Sequence, residues 1–226
     1  LKNYDTNVFE RVLINDLLFK SDPQFTQNGF KNSYNVLLKN INTQADRSKR
    51  YEETRDHKLA SLIEYKSSYP LIKKDENYNN ILKPLISLRY SPNNTRNMRD
   101  DNRRIDINNI FNLNRIGAND TVEGGGSLTF GAEYLKSNKK DKEIFGAKIA
   151  NIFRDKENED LPRNSKLGNK TSDIVGNFSY SPNNILKTSY DYSVDDNLKD
   201  TNYQLLGSEI KINNFITTFE YLNENN

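Results

Sequence analysis

The residues able to do chemistry are few, and they do not assemble into a reaction centre. His57 is the one histidine and there is no cysteine, so thiol nucleophiles, disulfides and cysteine-based zinc sites are ruled out. His57 follows the charged stretch 51–56 and reads as a solvated side chain at a loop–strand junction. No Gly-x-Ser-x-Gly elbow accompanies it, so a serine hydrolase has no support. Gly124, Gly125 and Gly126 invite a phosphate-loop reading. Neither a following Gly-Lys-Ser/Thr nor a helical pattern is present, and a bend into a strand explains them better. Asp155, Glu157, Glu159 and Asp160 offer hard oxygen ligands, but not at EF-hand spacing. They read as a solvated loop, as do Asp100 and Asp101. Arg96, Arg99, Arg103 and Arg104 form a candidate phosphate contact, because a guanidinium presents a planar fork to an anion. Asp100, Asp101 and Asp106 weaken the local field, which leaves a merely soluble loop open. Lys136, Lys139, Lys140 and Lys142 fall on a short turn and read as solvated.

The elements that must carry these residues are strands. Over 127–134, Leu128, Phe130, Ala132 and Tyr134 share one face, and Ser127, Thr129, Gly131 and Glu133 the other. A strand has a side-chain period of two, so one face of this segment is apolar and its reverse polar. Leu82, Pro84, Ile86, Leu88 and Tyr90 repeat the pattern against Lys83, Ser87 and Arg89, and Thr217, Phe219 and Tyr221 against Thr218 and Glu220. Alternation predicts about ten strands: 6–19, 30–41, 58–69, 81–90, 126–135, 144–153, 173–180, 185–194, 202–212 and 215–222. Their connections alternate short and long, with 42–57, 91–125, 154–172 and 195–201 long. An up-and-down barrel with its loops sorted by side has this rhythm. A further hairpin around 105–113 would fit within 91–125. Tyr-Ser-Pro-Asn-Asn occurs at 90–94 and again at 180–184 and reads as recurring turn chemistry.

Composition separates the remaining classes. The chain is 226 residues long and 34% hydrophobic, little for a compact core. Disorder would deplete aromatics, yet there are 13 Tyr and 11 Phe, spaced within the strand-like segments. A barrel with a polar, wet interior satisfies both facts, and Tyr can build its aromatic girdle. A soluble sheet with one solvated face has the same alternation. With 33 basic and 31 acidic residues, the charge gives no case for nucleic acid. No window approaches the ~18 apolar residues of a membrane helix. The first residue is Leu and the last four close no strand, so the chain reads as an internal piece of a longer protein.

One segment is distinctive enough to suggest a family. Residues 108–126 contain Asn109, Phe111, Leu113, Asn114 and Arg115, then Asp120, Glu123 and Gly124, directly before the alternating strand 127–134. This resembles the hallmark of the LptD family, the lipopolysaccharide-assembly or organic-solvent-tolerance proteins. The segments 82–92 and 161–176 resemble flanking family segments in the same order, so the resemblance runs over most of 58–222. It implies an all-β fold: an antiparallel up-and-down transmembrane β-barrel in the cell outer membrane, here an incomplete segment of about ten strands. Residues 1–226 would be part of the barrel domain, with the N-terminal jellyroll and the barrel ends absent. The implied activity is non-enzymatic transport of lipopolysaccharide into the outer leaflet, without a cofactor. The implied partners are lipopolysaccharide, membrane lipid, the lipoprotein plug LptE, and the periplasmic bridge protein LptA through the jellyroll. Arg115, Asp120 and Glu123 are expected to form a structural network anchoring a long loop, the alternative being contact with substrate. Another outer-membrane barrel, a porin or receptor, and a soluble all-β binding domain are the competing readings.

Overall fold

The computed structural model describes residues 7–225. The strands are β1 (Phe9–Lys20), β2 (Gln24–Phe25), β3 (Lys31–Asp46), β4 (Asp56–Ser68), β5 (Leu71–Lys74) and β6 (Tyr78–Ser91). They continue with β7 (Gly125–Asn138), β8 (Glu143–Arg154), β9 (Ile174–Tyr180), β10 (Leu186–Val194), β11 (Thr201–Ile212) and β12 (Phe215–Glu224). All pair antiparallel in one sheet. Its path is β1-β3-β4-β6-β7-β8-β9-β10-β11-β12, with β2 added beside β3 and β5 beside β6. Each main strand pairs with its successor along the chain, as an up-and-down meander requires, and the sheet does not close on itself. The ten expected strands are present; residue 6 of the first lies outside the described residues. The only helix among the described residues is a single 3-10 turn, Asn164–Lys166.

Register keeps the apolar residues on one side. Leu88 on β6 stands opposite Leu128 on β7, which stands opposite Phe153 on β8. Ile86, Phe130 and Asn151 form the next row. Phe130 is 54% exposed, Phe219 59% and Tyr221 53%, so these rings point out of the sheet and not into a sealed core. Aromatic pairs gather toward the short-turn ends of the strands: Phe30 with Tyr69, Tyr34 with Tyr65, and Tyr134 with Phe145. Gly176 opens the outward face for a ring, since a Cβ there would lie 2.3 Å from the Tyr192 hydroxyl. Tyr192 stacks on Phe178 and Tyr190 beside it.

The inward face departs from the expectation of a wet lumen. Loops 92–124 and 155–173 fold back over it. Met98, Ile105, Ile110, Ile116 and Ala118 of the first loop pack with Leu161 and Leu167 of the second. Together they cover Ala150 and Ile152 of β8 and Val175 of β9. Leu113 and Val122 make a second cluster with Leu37, Ala60 and Leu62 of β3 and β4. No hairpin forms around 105–113; the segment is a chain of turns. Its apolar residues are spent on the sheet rather than alternating along a strand. The repeated Tyr-Ser-Pro-Asn-Asn also plays two different parts. At 183 the Asn side chain accepts from the Ile185 and Leu186 amides and tightens a hairpin turn. At 93 it bonds Ser61 N and Leu59 O, taking over β4 beyond the point where β6 stops pairing with it.

The two faces are sensitive to opposite kinds of substitution. Phe130→Arg or Ile86→Arg places a cation on the lipid side and is expected to cost about 2–4 kcal/mol for a site near the bilayer midplane. Thr129→Val removes the acceptor of Arg115 Nη1 at a fully buried site and is expected to cost about 1–3 kcal/mol. The heat-modifiable, folded fraction of the protein after outer-membrane extraction measures both. Unchanged folding of all three variants would contradict this assignment of faces.

Candidate functional site

The inward wall meets the long loop at a buried cluster of charge. Arg89 lies on β6, Arg154 ends β8, and both point inward because their neighbours Leu88 and Phe153 point out. The loop supplies Arg115 and Glu123. Arg115 grips Glu123 with two parallel bonds, Nε to Oε2 at 2.7 Å and Nη2 to Oε1 at 2.5 Å. Its remaining donors reach the Thr129 and Ser127 hydroxyls of β7 at 2.7 and 2.9 Å. Arg154 donates to Glu123 Oε1 and to the Gly124 carbonyl. Arg89 Nη1 stands 3.7 Å from Glu123 Oε2 and donates to the Asn112 carbonyl at 3.2 Å, while its Nη2 donates to the Leu113 carbonyl at 2.5 Å. One carboxylate therefore serves three guanidiniums.

A second carboxylate extends the cluster. Glu64 on β4 is paired in register with Arg89 and is 0% exposed. It accepts from Ser87 Oγ at 3.0 Å and Asn35 Nδ2 at 2.8 Å, and Lys66 lies 3.2 Å away. Burial would raise the Glu123 carboxyl, but the Arg115, Arg89 and Arg154 guanidiniums hold it well below the usual carboxylate range. Gly124 admits this geometry because a Cβ there would sit 2.1 Å from the Asn93 carbonyl oxygen. Gly125 follows at φ 85, so the chain turns from the loop into β7 through a left-handed residue.

Asp120 lies in a separate cluster nearer the loop surface. It accepts a 2.5 Å hydrogen bond from the Tyr51 hydroxyl and stands 2.9 Å from Arg96 Nε and 3.7 Å from Arg50 Nε. Burial raises the Tyr51 phenol, aided by Asp120, to about 12. For Asp120 itself, burial acts upward, but the Tyr51 bond and the Arg96 and Arg50 charges bring it below its ordinary value. The contact ties loop 47–55 to loop 92–124.

The structure thus joins Arg115 to Glu123 and sets Asp120 apart. The other motif residues shape the loop. Asn109 caps a turn, accepting from Asp106 N and donating to the Arg104 carbonyl. Asn114 donates to the Ala118 carbonyl. Phe111 packs on the first apolar cluster and Leu113 on the second. The four arginines read as a candidate phosphate contact do not converge. Arg96 and Arg103 share Asp101, at 3.7 and 3.5 Å. Arg99 pairs with Glu159 at 3.3 Å. Arg104 pairs with Glu224 at 2.5 Å and lies 4.5 Å over the Tyr203 ring. Sequence reasoning missed Glu64 and Arg154 as members of the cluster and took Arg89 only as a polar-face residue. Their signal was a charged side chain at an inward strand position, which reads equally well as the wall of a wet channel.

The sheet with lipid-facing rings and loops folded against its inner wall defines a segment of an outer-membrane β-barrel. A family model described as LPS transport system D, LptD, matches residues 38–226, and the chain belongs to that family. No curated protein matches the sequence.

Glu123→Gln leaves three buried guanidiniums without their shared anion and is expected to destabilise the loop packing by about 3–5 kcal/mol. Trypsin cleavage within 92–124 on the folded protein measures it; protection equal to wild type would contradict the role given to Glu123. Because the folded carboxyl is depressed, its stabilisation is complete above the unfolded value and declines only as pH falls below about 4. The difference between wild type and Glu123→Gln is therefore expected to stay constant from pH 7 to about 5 and to shrink below about 4.

Proposed function

We propose that this chain forms part of the wall of the translocon that assembles lipopolysaccharide into the outer leaflet, moving lipid without covalent chemistry. The observation that carries the reading is the two-sided sheet, matched as it is to the LptD family. Lipopolysaccharide is amphipathic, with acyl chains and a phosphorylated sugar head. A wall with lipid-facing rings outside and polar side chains within suits such a cargo: the head travels along the protein interior while the chains remain in hydrocarbon. The open path of the sheet supports closure by further strands of the same barrel domain, with the family's jellyroll elsewhere in the parent chain. On this reading the lipoprotein LptE sits within the completed barrel and LptA delivers lipid to the jellyroll.

The Arg115–Glu123 cluster has a structural part in this proposal. It holds loop 92–124 over the inner wall, so that ions do not leak through the lumen at rest. This favours a translocon over a diffusion porin. In planar bilayers the parent is expected to show little steady conductance, and Glu123→Gln to raise it; a wide, steady pore in the wild-type protein would favour the porin.

Depletion of the parent tests the function itself. Surface lipopolysaccharide is expected to fall while the parent fractionates with the outer membrane. Normal surface lipopolysaccharide after depletion, or recovery of the parent in the soluble fraction, would overturn the proposal.

A further inference from the structure

The outward face changes character along β1, β3 and β4. Toward the short-turn ends it is apolar: Phe19, Val36 and Ile63 form one row, and Leu17 stands opposite Leu38 in the next. Toward the long-loop ends the same face becomes basic and amide-rich. Arg11 stands opposite Gln44, Asn15 opposite Asn40, and Leu13 opposite Asn42, which stands opposite His57. Arg55 completes a groove of about 570 Å³ lined by these side chains, with no carboxylate among its lining residues. Of the acids on these strands, Asp16 and Glu10 face inward, where Asp16 pairs with Lys39 at 2.7 Å and Glu10 accepts from Ser48; Asp46 lies on the outward face beyond Gln44, opposite Phe9 and outside the groove lining. The groove is also built: Asn42 donates to Asn40 Oδ1 at 2.9 Å, and its Oδ1 lies 2.6 Å from His57 Nδ1, which fixes the ring. At the corresponding ends of β6, β7 and β8 the outward residues are Tyr90, Leu128 and Phe153, so the basic face is local to one flank of the sheet.

We infer that this groove is a docking site for the phosphorylated saccharide head of an outer-leaflet glycolipid standing against the outside of the wall. The inference rests on the outer-membrane reading above and concerns a surface distinct from the inner wall. Charge complementarity selects the occupant. Two guanidiniums suit phosphate oxygens, and the amides of Asn40, Asn42 and Gln44 suit sugar hydroxyls. The groove also continues directly into the lipid-facing wall. Leu38 and Asn42 are four residues apart on one face, about 13 Å along the strand, so one lipid can lay its acyl chains on Leu17, Phe19 and Ile63 while its head reaches Arg11 and Arg55. A zwitterionic phospholipid also carries a phosphate, but lacks the sugar hydroxyls that the amide row would bind.

The test uses the full-length parent in phosphatidylcholine nanodiscs containing either bisphosphorylated lipid A or its dephosphorylated form, with retained lipid counted by native mass spectrometry. Wild type is expected to retain the phosphorylated form preferentially. Arg11→Gln combined with Arg55→Gln is expected to lower that retention about tenfold, in line with the loss of charge-assisted bonds, and to leave the dephosphorylated form unchanged. Asn40→Asp places a carboxylate in the groove without removing either arginine and is expected to lower retention in the same direction, so a folding defect in the double variant does not decide the outcome. Equal retention of both lipids by wild type, or unchanged retention in both variants, would overturn the inference. Displacement of the lipid by millimolar inorganic phosphate would reassign the groove to the free anion and overturn the lipid docking. Recovery of the parent outside the outer membrane would instead overturn the underlying reading, before any lipid is counted.

Discussion

A single carboxylate shared by three guanidiniums holds the inner half of this structure together. Glu123 lies where loop 92–124 meets β6, β7 and β8, and its carboxylate pairs with Arg89, Arg115 and Arg154 together, with Glu64 behind Arg89. Burying ions is expensive, and such a cluster is stable only when its remaining donors are also satisfied. Here Thr129, Ser127 and the carbonyls of Asn112, Leu113 and Gly124 take up many of them. The strands supply two arginines, and the loop supplies the third together with the acid that all three share, so the strand arginines lose Glu123 if the loop lifts away. That mutual dependence makes the loop part of the wall.

The apolar clusters do the complementary work. A polar inner face offers little surface on which a long loop could pack, yet Ala150, Ile152 and Val175 give it a small apolar floor. Met98, Ile105, Ile110 and Ile116 settle there, which fixes the depth of the loop; the charge cluster then fixes its position. The outer face obeys a different solvent. Its backbone groups are paired across the sheet, as a hydrocarbon environment demands, and many of its side chains are rings and branched aliphatics, with polar residues such as Asn151 among them. Toward the long-loop ends it turns basic along the flank formed by β1, β3 and β4, and toward the short-turn ends Lys73 and Lys136 flank Asn80 on it.

The sequence made the strands readable and the loops opaque, for one physical reason. A strand exposed to unlike surroundings on its two sides must alternate, so β6, β7 and β12 were legible from residues such as Ile86, Phe130 and Phe219. β2 and β5, of two and four residues, are too short to show a period. Loop 92–124 has no period at all. Its buried residues are fixed by contacts far away in sequence, so Ile105 and Ile110 suggested a hairpin that does not form. The motif residues Arg115 and Glu123 could be singled out together, but Glu64, Arg89 and Arg154 could not be added, since an inward charge looks alike whether water or a loop covers it. The same ambiguity made Arg96, Arg99, Arg103 and Arg104 look like one cluster, although Arg96 and Arg103 share Asp101 while Arg99 and Arg104 turn to separate partners, Glu159 and Glu224.

The central claim is that one side of the sheet meets lipid while the other is sealed by protein. Labelling of the protein in outer-membrane vesicles with a lipid-borne photoreactive probe, read residue by residue, tests it most directly. The account predicts label at Phe130, Phe178 and Tyr221 and none at Ile110, Ile152 or Leu161. Label on the second set, or protection of the first, would contradict it.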